Sequence, residues 1–270
     1  MSVDPVAQEF VAARLEARAL GGFPGAIPAT LEDAYAHQEQ AIRLWPDSVA
    51  GWKIGRIGPP WLARFGVERL VGPIFHQGLR EIPSGESVDF AIFVGGFAAV
   101  EAEFVFRLGA DPPAERLSWT AEQALDLPGT LHVGIETAGS PLASINDLGP
   151  AVIVSDFGNN AGLLLGPPIE AWRSRDPDSL TAETFIDGHT VGSGGAGSLP
   201  GGPAAALAFA LERCARLGRP LKSGQVVSTG ATTGIHEIRS GQRACVRFHD
   251  YAELLCRAVP AKPSARVVAK

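Results

Sequence analysis

Two carboxylates alternate with apolar residues in Val100-Glu101-Ala102-Glu103-Phe104-Val105-Phe106. On an extended strand, side chains two apart share a face, so Glu101 and Glu103 lie together. Val100, Ala102, Phe104 and Phe106 make the opposite, core-facing side. Neighbouring carboxylates repel, and burying an unpaired charge is costly. A hard divalent cation such as Mg²⁺, Mn²⁺ or Ca²⁺ resolves both by taking oxygen ligands. A lone Glu-x-Glu is more often a solvated strand face, so the reading depends on what else reaches that face. Glu136 ends the alternating run Leu131-His132-Val133-Gly134-Ile135-Glu136, where a third carboxylate would help close a hard-metal site. Lys53 is an isolated cation in Gly51-Trp52-Lys53-Ile54-Gly55, between glycines that let a backbone or ligand approach. It reads either as an ordinary edge-strand lysine or as a functional charge. Asp156, Asn159 and Asn160 follow an apolar run; they order water or a carboxylate, or simply hold a turn. Gly192-Ser193-Gly194-Gly195-Ala196-Gly197 lacks the Gly-Lys-Ser/Thr ending of a phosphate loop, yet can present backbone N–H groups to an anion.

These residues need elements to position them. Asp4-Pro5 opens a helix with Val6, Phe10, Ala13 and Ala17 at helical spacing, stopped by Gly21-Gly22. Thr30, with Asp33 three residues on, caps a second helix that Pro46 ends. His37-Gln38-Glu39-Gln40 reads as its wet face. A strand carries Lys53, a short helix follows Pro59-Pro60, and Val71–Phe75 reads as a turn into extended chain. From about residue 83, strands and glycine turns dominate. The acidic strand spans about 97–108, a helix runs from Thr120 to Leu127, and Asp187-Gly188 makes a hairpin turn. A long helix follows Pro203, and Val226–Gly230 and Ala244–Phe248 are strands.

The 270 residues, 46% hydrophobic, suffice for a sizeable core in one large domain or two small ones. Net charge is −6 with both signs scattered, so nucleic acid is not an expected partner. No apolar run reaches the roughly 18 residues needed to span a bilayer, and the N-terminus has no secretory core. Three cysteines without metal-ligand spacing fit reduced thiols in a cytoplasm. The histidines form no His-x-x-x-His pair, which argues against zinc, and no Gly-x-Ser-x-Gly elbow supports a serine triad.

Several stretches occur in a telling order: Trp52-Lys53-Ile54-Gly55, Val100–Glu103, the Glu136 strand, Asn159-Asn160-Ala161, Gly194-Gly195-Ala196, and Leu217–Gly224 leading to Val226–Gly230. The set, over about residues 30–250, resembles the 2-keto-4-pentenoate hydratase and 4-oxalocrotonate decarboxylase branch of the fumarylacetoacetate hydrolase superfamily. The resemblance implies an α+β fold: a mixed β-roll of that superfamily's C-terminal type with a smaller N-terminal α/β segment. The expected division is 1–80 for the N-terminal segment, 81–260 for the metal-binding roll and 261–270 for a loose tail. It implies Mg²⁺ or Mn²⁺ held by Glu101, Glu103 and Glu136, Lys53 as the catalytic cation, and a homo-oligomer. Asn160 and the backbone N–H groups of Gly194 and Gly195 are expected to bind substrate, the glycines holding its carboxylate. The implied reaction adds water to a 2-hydroxy-2,4-dienoate, or its 2-keto tautomer, giving a 4-hydroxy-2-keto acid in aromatic-type catabolism. The alternatives are decarboxylation of a 2-keto-3-enedioate, hydrolysis of an acylpyruvate, or a non-catalytic partner subunit. Leu70, Gly162 and Gly202 stand where the family pattern has polar side chains. Together they lead to the expectation of a roomier, more apolar pocket.

Overall fold

The computed structural model describes residues 4–113 and 115–265, so positions 266–270 of the expected tail lie outside the described residues. In chain order the elements are α1 (Pro5–Glu16), α2 (Leu31–Leu44), β1 (Val49–Arg56), α3 (Trp61–Phe65), β2 (Arg69–Phe75), β3 (Leu79–Glu81), β4 (Ser87–Ile92), β5 (Phe97–Leu108), α4 (Ala121–Leu125) and β6 (Gly129–Ser140). Then follow α5 (Pro150–Ser155), β7 (Asn160–Pro168), β8 (Thr181–Ile186), β9 (His189–Gly195), α6 (Gly202–Arg216), β10 (Val226–Ser228), β11 (His236–Glu237), β12 (Arg243–Phe248) and β13 (Ala252–Pro260).

Two mixed sheets form the body. An eight-stranded sheet runs β2-β1-β10-β5-β6-β7-β3, with β11 also on β5; a five-stranded sheet runs β4-β13-β12-β8-β9. The strands of residues 49–81 thus share a sheet with β5, β6, β7 and β10. β5 sits at the centre because its period-two pattern lets it bury both faces. Val100, Ala102 and Phe104 are fully buried, and the Phe104 ring meets Phe248 of the five-stranded sheet edge-on at 5.7 Å. On the other face Glu101 and Glu103 are also buried, at 5% and 0% exposure. A solvated strand face is therefore excluded. The Asp187-Gly188 turn joins β8 to β9 with both residues at positive φ (49° and 81°), as the tightest hairpins require.

Three sequence expectations need correction. α1 ends at Glu16 rather than at Gly21-Gly22. Ala17 adopts a left-handed conformation, and the chain beyond it is drawn away as the Leu20 N–H donates to Pro141 O at 2.8 Å. Val71–Phe75 belongs to a strand, β2, whose Pro73 is tolerated because β2 is an edge. Gln38 is not on a wet face. It is 2% exposed and donates to Val71 O (3.1 Å) and Val154 O (2.9 Å), tying α2 to β2 and α5.

Candidate metal centre and its cavity

The central sheet assembles the site. β5 and β6 pair with Glu101 directly opposite Glu136 and Glu103 opposite Gly134. Like charges so placed repel across the pair. Across the sheet, Lys53 of β1 is in register with Ser228 of β10, and Ser228 with Val105 of β5. This brings the lysine beside the carboxylates. Its Nζ lies 3.3 Å from Glu136 Oε1, with both side chains buried. β1 runs between β2 and β10, so Lys53 is not an edge lysine.

Each carboxylate has one tethered oxygen or none. The Ser228 hydroxyl and the Gly230 N–H (2.9 Å) donate to Glu103 Oε2. Asn160 Nδ2 donates to Glu136 Oε1 at 3.0 Å. Glu103 Oε1 and Glu136 Oε2 are buried with no hydrogen-bond partner. One ligand atom from each of Glu101, Glu103 and Glu136 falls within 4.8 Å of the others, and among the described residues no other group of three His, Cys, Asp or Glu does so. Three buried carboxylates against one ammonium leave excess negative charge, and orphaned anionic oxygens in a dry site are costly. A hard divalent cation fits this donor set: all oxygen, buried, with free lone pairs converging.

Protonation reflects the strain. Burial raises Glu101 to about 7, with Lys53 opposing and Glu136 adding to the rise. Burial first, and then Glu136 and Glu101, push Glu103 well above the ordinary carboxylate range. Burial pulls Lys53 down, but Glu136, Glu101 and Glu103 together outweigh it and hold the lysine above its usual value. Lys53 is thus a charged donor. The sign for cation binding follows. Below about 7 Glu101 holds a proton that a cation must displace, and the raised Glu103 adds to the same cost, so affinity falls as pH falls. Calorimetric Mn²⁺ titrations at about pH 5.5 and about pH 8 should show weaker binding and proton release at the lower pH. Equal affinities would contradict protonation at the ligands.

A cavity of about 300 Å³ opens onto Lys53 and Glu101, with Leu70, Asn146, Asn159 and Leu199 among its walls. Arg56 and Arg69, register partners at the ends of β1 and β2, also line it. Asn159 is 4% exposed, and its Nδ2 donates to Asn146 Oδ1 at 3.3 Å. Asp156 lies outside the cavity, in a buried ion pair with Arg14 at 2.6 Å.

The structure brings Lys53, Glu101, Glu103, Glu136 and Asn160 together, but Asn160 holds Glu136 and does not line the cavity where substrate contact was expected of it; it does not bring Gly194 and Gly195. Neither glycine lines the cavity. The Gly195 N–H donates to Ser198 Oγ at 3.1 Å, and a Cβ on Gly194 would meet Thr232 O at 2.0 Å. Their place as carboxylate holders is therefore corrected: these glycines serve close packing. Gly162 pairs with Thr137 inside the sheet and Gly202 opens α6, and neither lines the cavity. Of the three missing polar positions only Leu70 shapes the pocket, and the two arginines make the wall less apolar than expected. Ser228, Gly230 and Arg14 were not anticipated from the sequence.

No family model matches the chain. In sequence it is similar to a 2-keto-4-pentenoate hydratase of Burkholderia vietnamiensis (strain G4 / LMG 22486), 28% identical over 186 residues, 68% of each chain. It is also 25% identical to one from Paraburkholderia xenovorans (strain LB400) over 78% of this chain and 77% of that one. In fold it superimposes on 4-oxalocrotonate decarboxylase from Pseudomonas putida G7, complexed with magnesium and adipate, with a TM-score of 0.77, 20% identity and coverage of 94% and 96%. The chain has the fumarylacetoacetate hydrolase fold and resembles the superfamily's hydratase and decarboxylase branch. The mixed β-roll and accompanying α/β segment are those expected of that superfamily. Among the described residues, no helix is long and apolar enough to cross a membrane.

Proposed function

We propose that the chain is a divalent-metal-dependent hydratase that adds water to a 2-hydroxy-2,4-dienoate, giving a 4-hydroxy-2-keto acid in the catabolism of aromatic-type compounds. The observation that carries this is the pair of orphaned buried oxygens, Glu103 Oε1 and Glu136 Oε2, beside a charged lysine at a cavity. Glu101, Glu103 and Glu136 would hold Mg²⁺ or Mn²⁺, which when bound supplies Lewis-acid polarisation to a 2-keto acid. The chain's own residues do the rest. Asn160 restrains Glu136 by one oxygen, and Ser228 and Gly230 restrain Glu103, so these carboxylates are preorganised. Lys53, charged and 3.3 Å from Glu136, opposes negative charge developing on the substrate's 2-oxygen and supplies a proton. In ketonisation the 2-hydroxyl proton leaves and C5 gains one, leaving C3=C4 conjugated to the ketone. Water's oxygen then bonds C4 and its proton ends on C3. Leu70, Ile153 and Leu199 give the tail an apolar wall that limits stray water.

A second reading, decarboxylation of a 2-keto-3-enedioate, is favoured by Arg56 and Arg69. Two guanidiniums on the cavity wall suit a second carboxylate. One panel decides: purified protein with Mg²⁺ or Mn²⁺, assayed on 2-hydroxypenta-2,4-dienoate, 4-oxalocrotonate and an acylpyruvate, with product analysis. Hydration of the dienoate is the expected result. CO₂ release from oxalocrotonate without hydration would replace the first reading by the second. Arg69→Ala should then cost about 10-fold or more in kcat/KM on the enedioate, the value of a charge-assisted hydrogen bond, and little on the dienoate. No turnover of any of the three would leave a metal-binding partner subunit.

A further inference from the structure

The turn between α5 and β7 has an unusual backbone. Phe157, Gly158 and Asn159 all lie at positive φ, at 55°, 65° and 63°. Such a run is costly outside glycine and persists only where the surroundings over-determine it. On one side the turn presses on the site: a Cβ on Gly158 would meet Gly72 Cα at 2.7 Å and Lys53 Cδ at 3.3 Å. Immediately after it, β6 and β7 slip register between Thr137 and Ala138, so that Gly162 and Asn160, two residues apart, face consecutive residues of β6. The extra residue bends the strand and re-aims its neighbours. Asn160 is thereby directed inward, its Nδ2 shared between Glu136 Oε1 (3.0 Å) and Gly162 O (3.2 Å).

Arg14, from the buried face of α1, holds this distorted segment from both flanks. Its Nε donates to Asp156 Oδ1 at 2.6 Å, just before the turn. Nη1 donates to Asn160 O at 3.0 Å, just after it, and Nη2 to Gly139 O at 2.9 Å across the bulge. Its guanidinium lies 5.1 Å from the centre of the Phe157 ring. Asp156 is fixed in turn by the Ser140 hydroxyl at 2.6 Å. One planar fork thus satisfies the carbonyls of Asn160 and Gly139 and reaches that of Asp156 at 3.4 Å, a geometry that lysine's single ammonium cannot reproduce.

We propose that Arg14 is a positioning residue for the metal centre: it clamps the left-handed turn at 157–159 so that Asn160 holds Glu136 Oε1 and leaves Oε2 free for a cation. The inference rests on the metal-centre reading. Mn²⁺ affinity, measured by calorimetry on the full chain, tests it in a double-mutant cycle of Arg14→Lys and Asn160→Ala. Each single variant should bind Mn²⁺ roughly 10–100-fold more weakly, the usual effect of losing a group that orients a ligand. The double variant should bind no more weakly than Asn160→Ala alone, because Arg14 acts through Asn160. A purely structural arginine would instead lower the melting temperature while leaving Mn²⁺ affinity unchanged. Wild-type affinity in Arg14→Lys, or losses that simply add in the double variant, would overturn the proposal. Should Arg14→Lys fail to fold, Asp156→Asn loosens the same clamp from its other end; the same cycle with Asn160→Ala is read, and additivity again overturns it. A wild-type chain that takes up no Mn²⁺ would remove the metal-centre reading itself, an outcome distinct from a lost coupling.

Discussion

Lys53→Met should lower turnover by about 10²–10⁴-fold while the variant still binds Mn²⁺. Methionine follows the apolar stem of lysine through the same buried path but carries no charge. Lys53 faces Glu136 at 3.3 Å, and its pKa is raised by all three carboxylates over the opposing effect of burial. Its removal therefore takes away a cation that competes with the metal for the same negative field, and affinity should hold or tighten. The metal-free fold loses its internal countercharge. Breaking a buried pair by deleting one partner costs about 3 kcal/mol or more, and saturating Mn²⁺ should restore much of that loss. A structural lysine would give the opposite pattern: lost stability with or without metal, and unchanged kcat in whatever protein remains folded. Steady-state rates and melting temperatures with and without Mn²⁺ separate the two.

Glu103→Gln should move metal binding and metal-free stability in opposite directions. Glu103 Oε2 accepts from Ser228 and Gly230, bonds that an amide oxygen also accepts. The amide nitrogen then occupies the place of Oε1, the buried oxygen with no partner. A neutral donor in place of an anionic ligand should weaken Mn²⁺ binding by at least about 100-fold, since losing a mere outer-shell partner costs 10–100-fold. Without metal the substitution removes a carboxylate that burial and two neighbouring carboxylates already disfavour as an anion. The metal-free variant should accordingly melt no lower than wild type near neutral pH, and higher as pH rises. A charge stored for function at the expense of stability has this signature. Unchanged Mn²⁺ affinity in Glu103→Gln would remove Glu103 from the ligand set.

The centre of the fold was legible because β5 writes its two faces in the sequence. Four apolar residues at period two require a core, and the intervening glutamates require something to meet them. Lys53 was legible as a charge between Trp52 and Ile54, residues that a core claims. What failed has physical reasons. Gly194 and Gly195 offer backbone N–H groups, but a glycine run does not show which donors the chain consumes itself; Ser198 takes one of them. Gln38 reads as part of a wet face, and Arg14 goes unread in a helix recognised by its apolar residues alone. Their spacing held the signal. Gln38 lies four residues after Ala34 and four before Ile42, and Arg14 four after Phe10, so both fall on apolar stripes. A polar residue on such a stripe is buried with its hydrogen bonds satisfied. Gln38 bridges two carbonyls and Arg14 grips a turn. The register slip at Thr137, which turns Asn160 inward, leaves no mark that a single sequence displays.

We propose that Glu101, Glu103 and Glu136 form a hard-cation centre beside Lys53. Crystals of the protein grown with Mn²⁺, measured at the manganese absorption edge, address it directly. A dominant anomalous peak is expected among the three carboxylates, within ligand distance of Glu103 Oε1 and Glu136 Oε2, with Asn160 still on Glu136 Oε1. Manganese bound elsewhere, with these two oxygens still unligated at saturating concentration, would contradict it.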